Sequence, residues 1–156
     1  MAWLKCNMGS VRIPVPTGVT YTNALEIGAS INRTNEWHNK SETINTQSAS
    51  QIKVRVDYSF GIYASGDGTY ARDETSFVFK VNGTTYLNES KDDVSNNDGW
   101  VNNSYSATYT ITNLPAGNCV FDYNFCFVDT YQNSGALSFG AKASIAFTIT
   151  EVTYRE

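Results

Sequence analysis

Charge, proline and histidine are all scarce in this chain of 156 residues. Asp, Glu, Lys and Arg together make up 17% of it, beside three prolines, three cysteines and one histidine. So few charges, next to 41% hydrophobic residues, exclude a disordered chain, which carries net charge in place of buriable apolar area. Basic residues are not in excess: 11 Lys and Arg against 15 Asp and Glu leave a net charge of −4. Such a surface repels phosphate backbones, which argues against nucleic acid as a partner. No apolar run is long enough to span a bilayer, and no basic amphipathic segment is present to lie on one. Membrane insertion is therefore not expected.

The cysteines are odd in number. Cys119 and Cys126 fall on one expected strand, roughly 23 Å apart at about 3.3 Å per residue. A disulfide tolerates only about 7 Å between Cα atoms. Cys6 could reach either of them only through the fold, so the bland reading is three buried free thiols. The start, Met1-Ala-Trp-Leu-Lys-Cys6, lacks the charged region and long apolar stretch of a secretory signal. Synthesis and folding in a reducing cytoplasm, with later display on a virion, are the expectation.

What the chain does have is aromatics, ten Tyr and eight Phe, set among Asn, Ser and Thr. They alternate with polar residues at the period of strands. Leu4, Cys6 and Met8 suggest a first strand, and Leu25, Ile27, Ala29 and Ile31 another. Asn32–Ser50 is polar and long for a structureless connection, so it reads as a hidden polar edge strand or a functional loop. Across Gln51–Ala64, Ile52, Val54, Val56, Tyr58, Phe60 and Ile62 share one face. Phe77, Phe79 and Val81 lead into Asn82-Gly83, a two-residue hairpin signal. Lys91–Gly99 reads as a polar loop. Tyr105–Thr112 and Cys119–Val128 are strands joined by a Pro/Gly corner. Ala143, Ile145, Phe147 and Ile149 form the last strand, and the changed parity of Val152 and Tyr154 predicts a bulge near Glu151. No helix is expected. The prediction is a single all-β domain over residues 1–156, an antiparallel β-sandwich, jelly roll preferred over immunoglobulin-like.

Chemistry-bearing motifs are few. There is no nucleophile elbow and no His/Cys spacing of a zinc site. The neighbouring acids Asp73-Glu74 and Asp92-Asp93 do not by adjacency supply the separation that glycoside hydrolysis needs. The expectation is that the chain is not an enzyme. Asp92, Asp93 and Asp98 are hard oxygen ligands that would suit calcium, although Asp98 stands where an EF-hand needs glycine; Asx turns explain the same residues. Trp37 and Trp100 are large rings in polar surroundings. With His38, Asn102 and Tyr131 they are candidate ligand-binding residues that could stack on a sugar face while amides bind its hydroxyls. The alternative is that each tryptophan plugs an open end of the sandwich. Sequons at Asn32, Asn39, Asn82, Asn88 and Asn102 are what an Asn- and Thr-rich chain yields by chance.

From Gln51 to Ile149 the order of features resembles C1q/TNF-like jelly rolls, which also occur at phage tail-fibre tips. Gln51–Ala64 resembles that family's long aromatic strand. Phe77-Val-Phe-Lys-Val-Asn-Gly83 resembles its strand ending in Asn-Gly. Tyr109-Thr-Ile-Thr-Asn-Leu-Pro-Ala-Gly117 resembles its corner, and Tyr131–Leu137 the turn before its last strand. Ser48-Ala-Ser-Gln51 stands where the family's approach ending in Gly-x-Tyr is absent, and no glycine step lies in Ile145–Ile149. The resemblance implies a trimer and a receptor- or ligand-binding role, with no binding residue to carry over. A homotrimer would give Tyr58, Tyr123 or Phe125 an interface to line. The functional expectation is a virion-type structural or adhesion module of a phage tail or fibre, meeting a cell-surface glycan or protein or other virion proteins. A carbohydrate-binding module is the alternative.

Overall fold

A computed structural model describes residues 12–28, 32–65, 70–96, 99–132 and 138–156. Nine strands follow one another: β1 (Thr20–Gly28), β2 (Arg33–His38), β3 (Ser41–Asn45), β4 (Ala49–Ser65), β5 (Ala71–Val81), β6 (Thr84–Ser95), β7 (Gly99–Ile111), β8 (Asn118–Gln132) and β9 (Ser138–Tyr154). No helix occurs among the described residues. One sheet has the order β1-β9-β4-β7. The other has β2-β8-β5-β6, with β3 also on β8. All pairings are antiparallel.

The chain changes sheet at nearly every connection. Only the β2–β3 break and the β5–β6 hairpin stay within one sheet. Taking β2 and β3 as one interrupted strand, this is the eight-stranded double Greek key of a jelly roll. The preferred fold is therefore the one present. At the hairpin, Asn82 and Gly83 have φ of 48° and 80°, the left-handed pair that matches strand twist in a two-residue turn.

Period-2 alternation determines which residues meet. Ile52, Val54, Val56, Phe60 and Ile62 of β4 face Phe77, Phe79, Phe121, Tyr123, Phe125 and Phe127 across the sandwich, all buried. Phe147 is the hub: it stacks on Phe121 at 5.0 Å and on Tyr21 at 4.8 Å, and meets Tyr123 edge-on. The expected bulge is present as a register shift where Lys53 pairs with Glu151 and Val54 with Ile149.

Several expectations need correction. Tyr58, Tyr123 and Phe125 are 6%, 0% and 0% exposed, so they belong to the core and line no trimer interface. Lys91–Ser95 is the end of β6, because it pairs in register with Ala71–Thr75 of β5. The polar stretch 32–50, by contrast, holds the short edge strands β2 and β3 on β8, which is the first of its two expected readings. Trp37 and Trp100 sit on strands, not in loops. The strand expected at Leu4–Met8, Ala29 and Ile31, most of the turn that Ser65-Gly-Asp-Gly68 predicts, and Asp98 lie outside the described residues.

Candidate functional site

The pairing registers bring four connections, β1–β2, β4–β5, β6–β7 and β8–β9, to one end of the sandwich. Gly28 pairs with Gly140, Ala64 with Gly99, and Ala71 with both Ser95 and Gln132. Trp100, Tyr131 and the buried polar side chains Asp73, Thr75, Ser95 and Thr130 lie toward this end, which makes it the candidate site.

On the outer face of the first sheet, Trp100 lies across its neighbours. Its ring is 5.5 Å from Tyr63, and the Lys142 ammonium sits over it at 4.3 Å. Gly140 makes room for the indole: a Cβ there would come within 2.7 Å of Cη2. Gly61 serves Asn102 and Lys142 in the same way, since a Cβ would lie 2.5 Å from Asn102 Oδ1. Trp100 and Asn102 thus share one patch, and the indole is laid down on the sheet as a cover.

Tyr131 is elsewhere. It lies at the end of β8 in the second sheet, 45% exposed, its ring 6.2 Å from that of Tyr70. Beside it Arg72 Nη2 donates to Asp129 Oδ2 at 2.6 Å. Trp37 is on edge strand β2 in register with Cys126, pointing away from the core and 49% exposed. His38, one residue on, takes the opposite side and stacks on Phe125 at 5.1 Å, with Phe127 edge-on at 5.7 Å. Its Nε2 is 3.2 Å from Glu36 Oε1. The five candidate residues therefore occupy separate places, and only Trp100 and Asn102 are brought together.

The acids are also divided. Asp92 points outward from β6, and Asp93 toward β7, where Asn103 Nδ2 donates to its Oδ2 at 2.8 Å and the Val94 amide to its Oδ1 at 2.8 Å. Among the described residues no three His, Cys, Asp or Glu side chains converge as metal ligands. Cys119 faces inward and Cys126 outward, and both are free, buried thiols. Burial pushes the Cys119 thiol up to about 11, which makes it a poor nucleophile.

Sequence reasoning missed the most unusual group. Asp73 is fully buried, beside the buried hydroxyl residues Thr75, Ser95 and Thr130. Thr75 Oγ1 donates to its Oδ2 at 2.7 Å, and its Oδ1 has no partner. Desolvation pushes its carboxyl up to about 7; the Thr75 bond opposes this, and the charges of Glu74 and Asp129 add to it. The available signal was parity: Asp73 falls on the same face of β5 as Phe77 and Phe79.

No family model and no curated protein matches the chain. Solved structures similar to it include a native virion of Kashmir bee virus at acidic pH, with 12% identity over 88% of this chain and 73% of that one, at a TM-score of 0.42. Infectious bursal disease virus, Gx strain, overlaps 88% of this chain and 35% of its own at 12% identity and 0.40. The STIV MCP overlaps 83% and 48% at 16% identity and 0.37. These scores are all below 0.5, and the jelly-roll assignment rests on the strand order. None of the three is a C1q/TNF-like protein.

Proposed function

We propose that the chain is a virion-type structural module that packs against other virion proteins. In its finer form it belongs to a phage tail or fibre and contacts a cell-surface glycan or protein. The observation that carries the reading is a jelly roll whose charged side chains are mostly paired with one another, on the outer faces as well as between the sheets. The Tyr58 and Tyr123 hydroxyls donate to Glu89 and Glu42, Asp93 accepts from Asn103, and His38 rests on Phe125. Asp57, Ser59, Ser104, Ser106, Ser144 and Ala146, with Tyr58 and Tyr105, line a shallow depression on the first sheet. That surface suits packing against another protein better than turnover of a small molecule, for which a deep apolar cleft with convergent polar groups is the usual form. The test is density-gradient purification of particles from the source, probed with antibody to the purified protein. Comigration with intact particles at a fixed stoichiometry is expected; the protein confined to the soluble fraction would overturn the proposal.

One observation favours a carbohydrate-binding module as the second reading. Trp37 is 49% exposed, whereas Trp100 is held down by Gly140 and Lys142. Sugar stacking therefore belongs to Trp37. On a glycan array Trp37→Ala should abolish binding and Trp100→Ala should not; the reverse pattern, or no binding by the unmodified chain, would remove this reading.

A further inference from the structure

A sheet edge is a row of unpaired backbone donors and acceptors, and soluble proteins blunt their edges with charge, proline, bulges or short strands. Three edges of this sandwich are blunted. β6 carries Glu89, Lys91, Asp92 and Asp93, and its pairing with β5 shifts register at Phe79/Lys80. The β2/β3 edge is broken at residues 39–40, carries Arg33, Glu36 and Glu42, and has Asn35 at φ 48°. β1 is shorter and carries Glu26, and side chains cross its flank: Asn23 Nδ2 donates to the His38 and Tyr123 carbonyls, and Lys40 Nζ to the Thr22 carbonyl.

β7 itself carries no charge, proline or bulge; the side chains that reach its inner row come from β6, where Asp93 accepts from Asn103 and Lys91 lies over the Tyr105 ring. β7 is 13 residues long, Gly-Trp-Val-Asn-Asn-Ser-Tyr-Ser-Ala-Thr-Tyr-Thr-Ile. It pairs with β4 from Ile111 to Gly99 without a register shift, and no described strand lies on its other side. Val101, Tyr105, Ala107 and Tyr109, on its inner side, stay only half-buried. Apolar area is left there for another strand to cover.

We propose that β7 is a self-association edge, on which the β7 of a second copy pairs antiparallel and extends β1-β9-β4-β7 into a continuous eight-stranded sheet. A second copy fits because a two-fold axis brings identical edges together antiparallel. Elsewhere a net charge of −4 sets copies against each other, but β7 itself adds no charge to that repulsion. The outward row Asn102, Ser104, Ser106, Thr108 and Thr110 supplies side chains that both donate and accept, so the row is complementary to itself.

Sedimentation velocity of the full chain from about 1 to 200 µM tests this. The expected result is a monomer–dimer equilibrium within that range, weakened at least about tenfold by Ser104→Lys and also by Thr108→Glu, each placing a charge on the edge. Thr85→Lys, on the exposed edge of β6, should leave it unchanged. Both edge variants alter exposed side chains, and near-ultraviolet circular dichroism checks their folding. As a second readout, alternate β7 amides should gain hydrogen-exchange protection as concentration rises. A wild-type monomer at about 200 µM, or a dimer indifferent to both β7 charges, would overturn the proposal.

Discussion

The two ends of the sandwich interior are built from different materials. Toward the β3–β4 and β7–β8 connections the filling is aromatic, with Phe79, Phe121, Tyr123 and Phe147 ring against ring. Toward the end where four connections meet, the same inward rows end in Asp73, Thr75, Ser95 and Thr130. Burial is equally complete at both ends, but the physical consequence differs. Apolar area removed from water stabilises by about 25 cal/mol per Å² at any pH. A buried carboxyl with one unpartnered oxygen stabilises or destabilises according to whether it holds a proton. The aromatic end is a constant source of stability, and the polar end is conditional on pH.

The largest expected effect tests the aromatic end. Phe147→Ala removes the ring that Tyr21, Phe79, Phe121 and Tyr123 all touch. It should cost about 3–5 kcal/mol in urea-induced unfolding, with little dependence on pH between 5 and 8. A loss under about 1 kcal/mol would show that the hub is not where the packing energy resides.

The next tests the polar end. The carboxyl of Asp73 in the fold titrates near 7, above the roughly 3.9 of an unfolded aspartate. Between those values the folded state holds a proton that the unfolded state has released. Stability from this group is complete below about pH 4 and is lost as pH rises through about 7. Asp73→Asn is a neutral isostere that never pays the ionisation cost. It should match the unmodified chain at pH 4 and exceed it by about 2–4 kcal/mol at pH 8, measured as the difference in urea unfolding free energy. Equal stability at both pH values would show that the Asp73 charge is compensated in the fold.

A smaller effect tests the cover on the first sheet. Gly140→Ala places a methyl 2.7 Å from Trp100 Cη2 and 3.0 Å from Cζ2, so the indole must lift from its seat under Lys142. A cost of about 1–3 kcal/mol is expected, with a red shift of the Trp100 contribution to fluorescence, obtained by difference from Trp100→Phe. An unshifted spectrum would mean that the indole is not seated on Gly140.

Residues with strict alternation were legible in the sequence. Gln51–Ala64 and Cys119–Val128 announced strands and even the sides their residues take, because inward and outward positions differ sharply in polarity. Asn82-Gly83 announced its own turn through backbone preference. The polar edge strands were legible only as one of two alternatives, because an edge strand on a sheet's rim has no apolar row to set it apart from a loop: β2 reads Arg-Thr-Asn-Glu-Trp-His. The candidate site was legible only in part. Residue type drew attention to Trp37 and Trp100 alike, and only the glycines on neighbouring strands distinguish a ring that is laid down from one that is free. Asp73 was hidden by its neighbour Glu74, since an acidic pair suggests a solvated turn, yet alternation sends one of the two inward.

The smallest effect on stability falls at Trp37, where it separates the two cysteines of β8. Cys119 points into the core, and removing a surface ring cannot reach it. Cys126 points outward but is 1% exposed, and the residue in register beside it at the sheet edge is Trp37. If the indole is what shields that sulfur, Trp37→Ala should change unfolding free energy by only about 0.5 kcal/mol, as half-exposed side chains do. It should nevertheless make Cys126, and not Cys119, reactive to a thiol reagent under native conditions, identified by peptide mapping of the labelled chain. Unchanged protection of Cys126 would assign its cover to the neighbouring strands of the second sheet. Trp37 would then be a ring with no structural duty at all, and its exposure would weigh further toward a ligand.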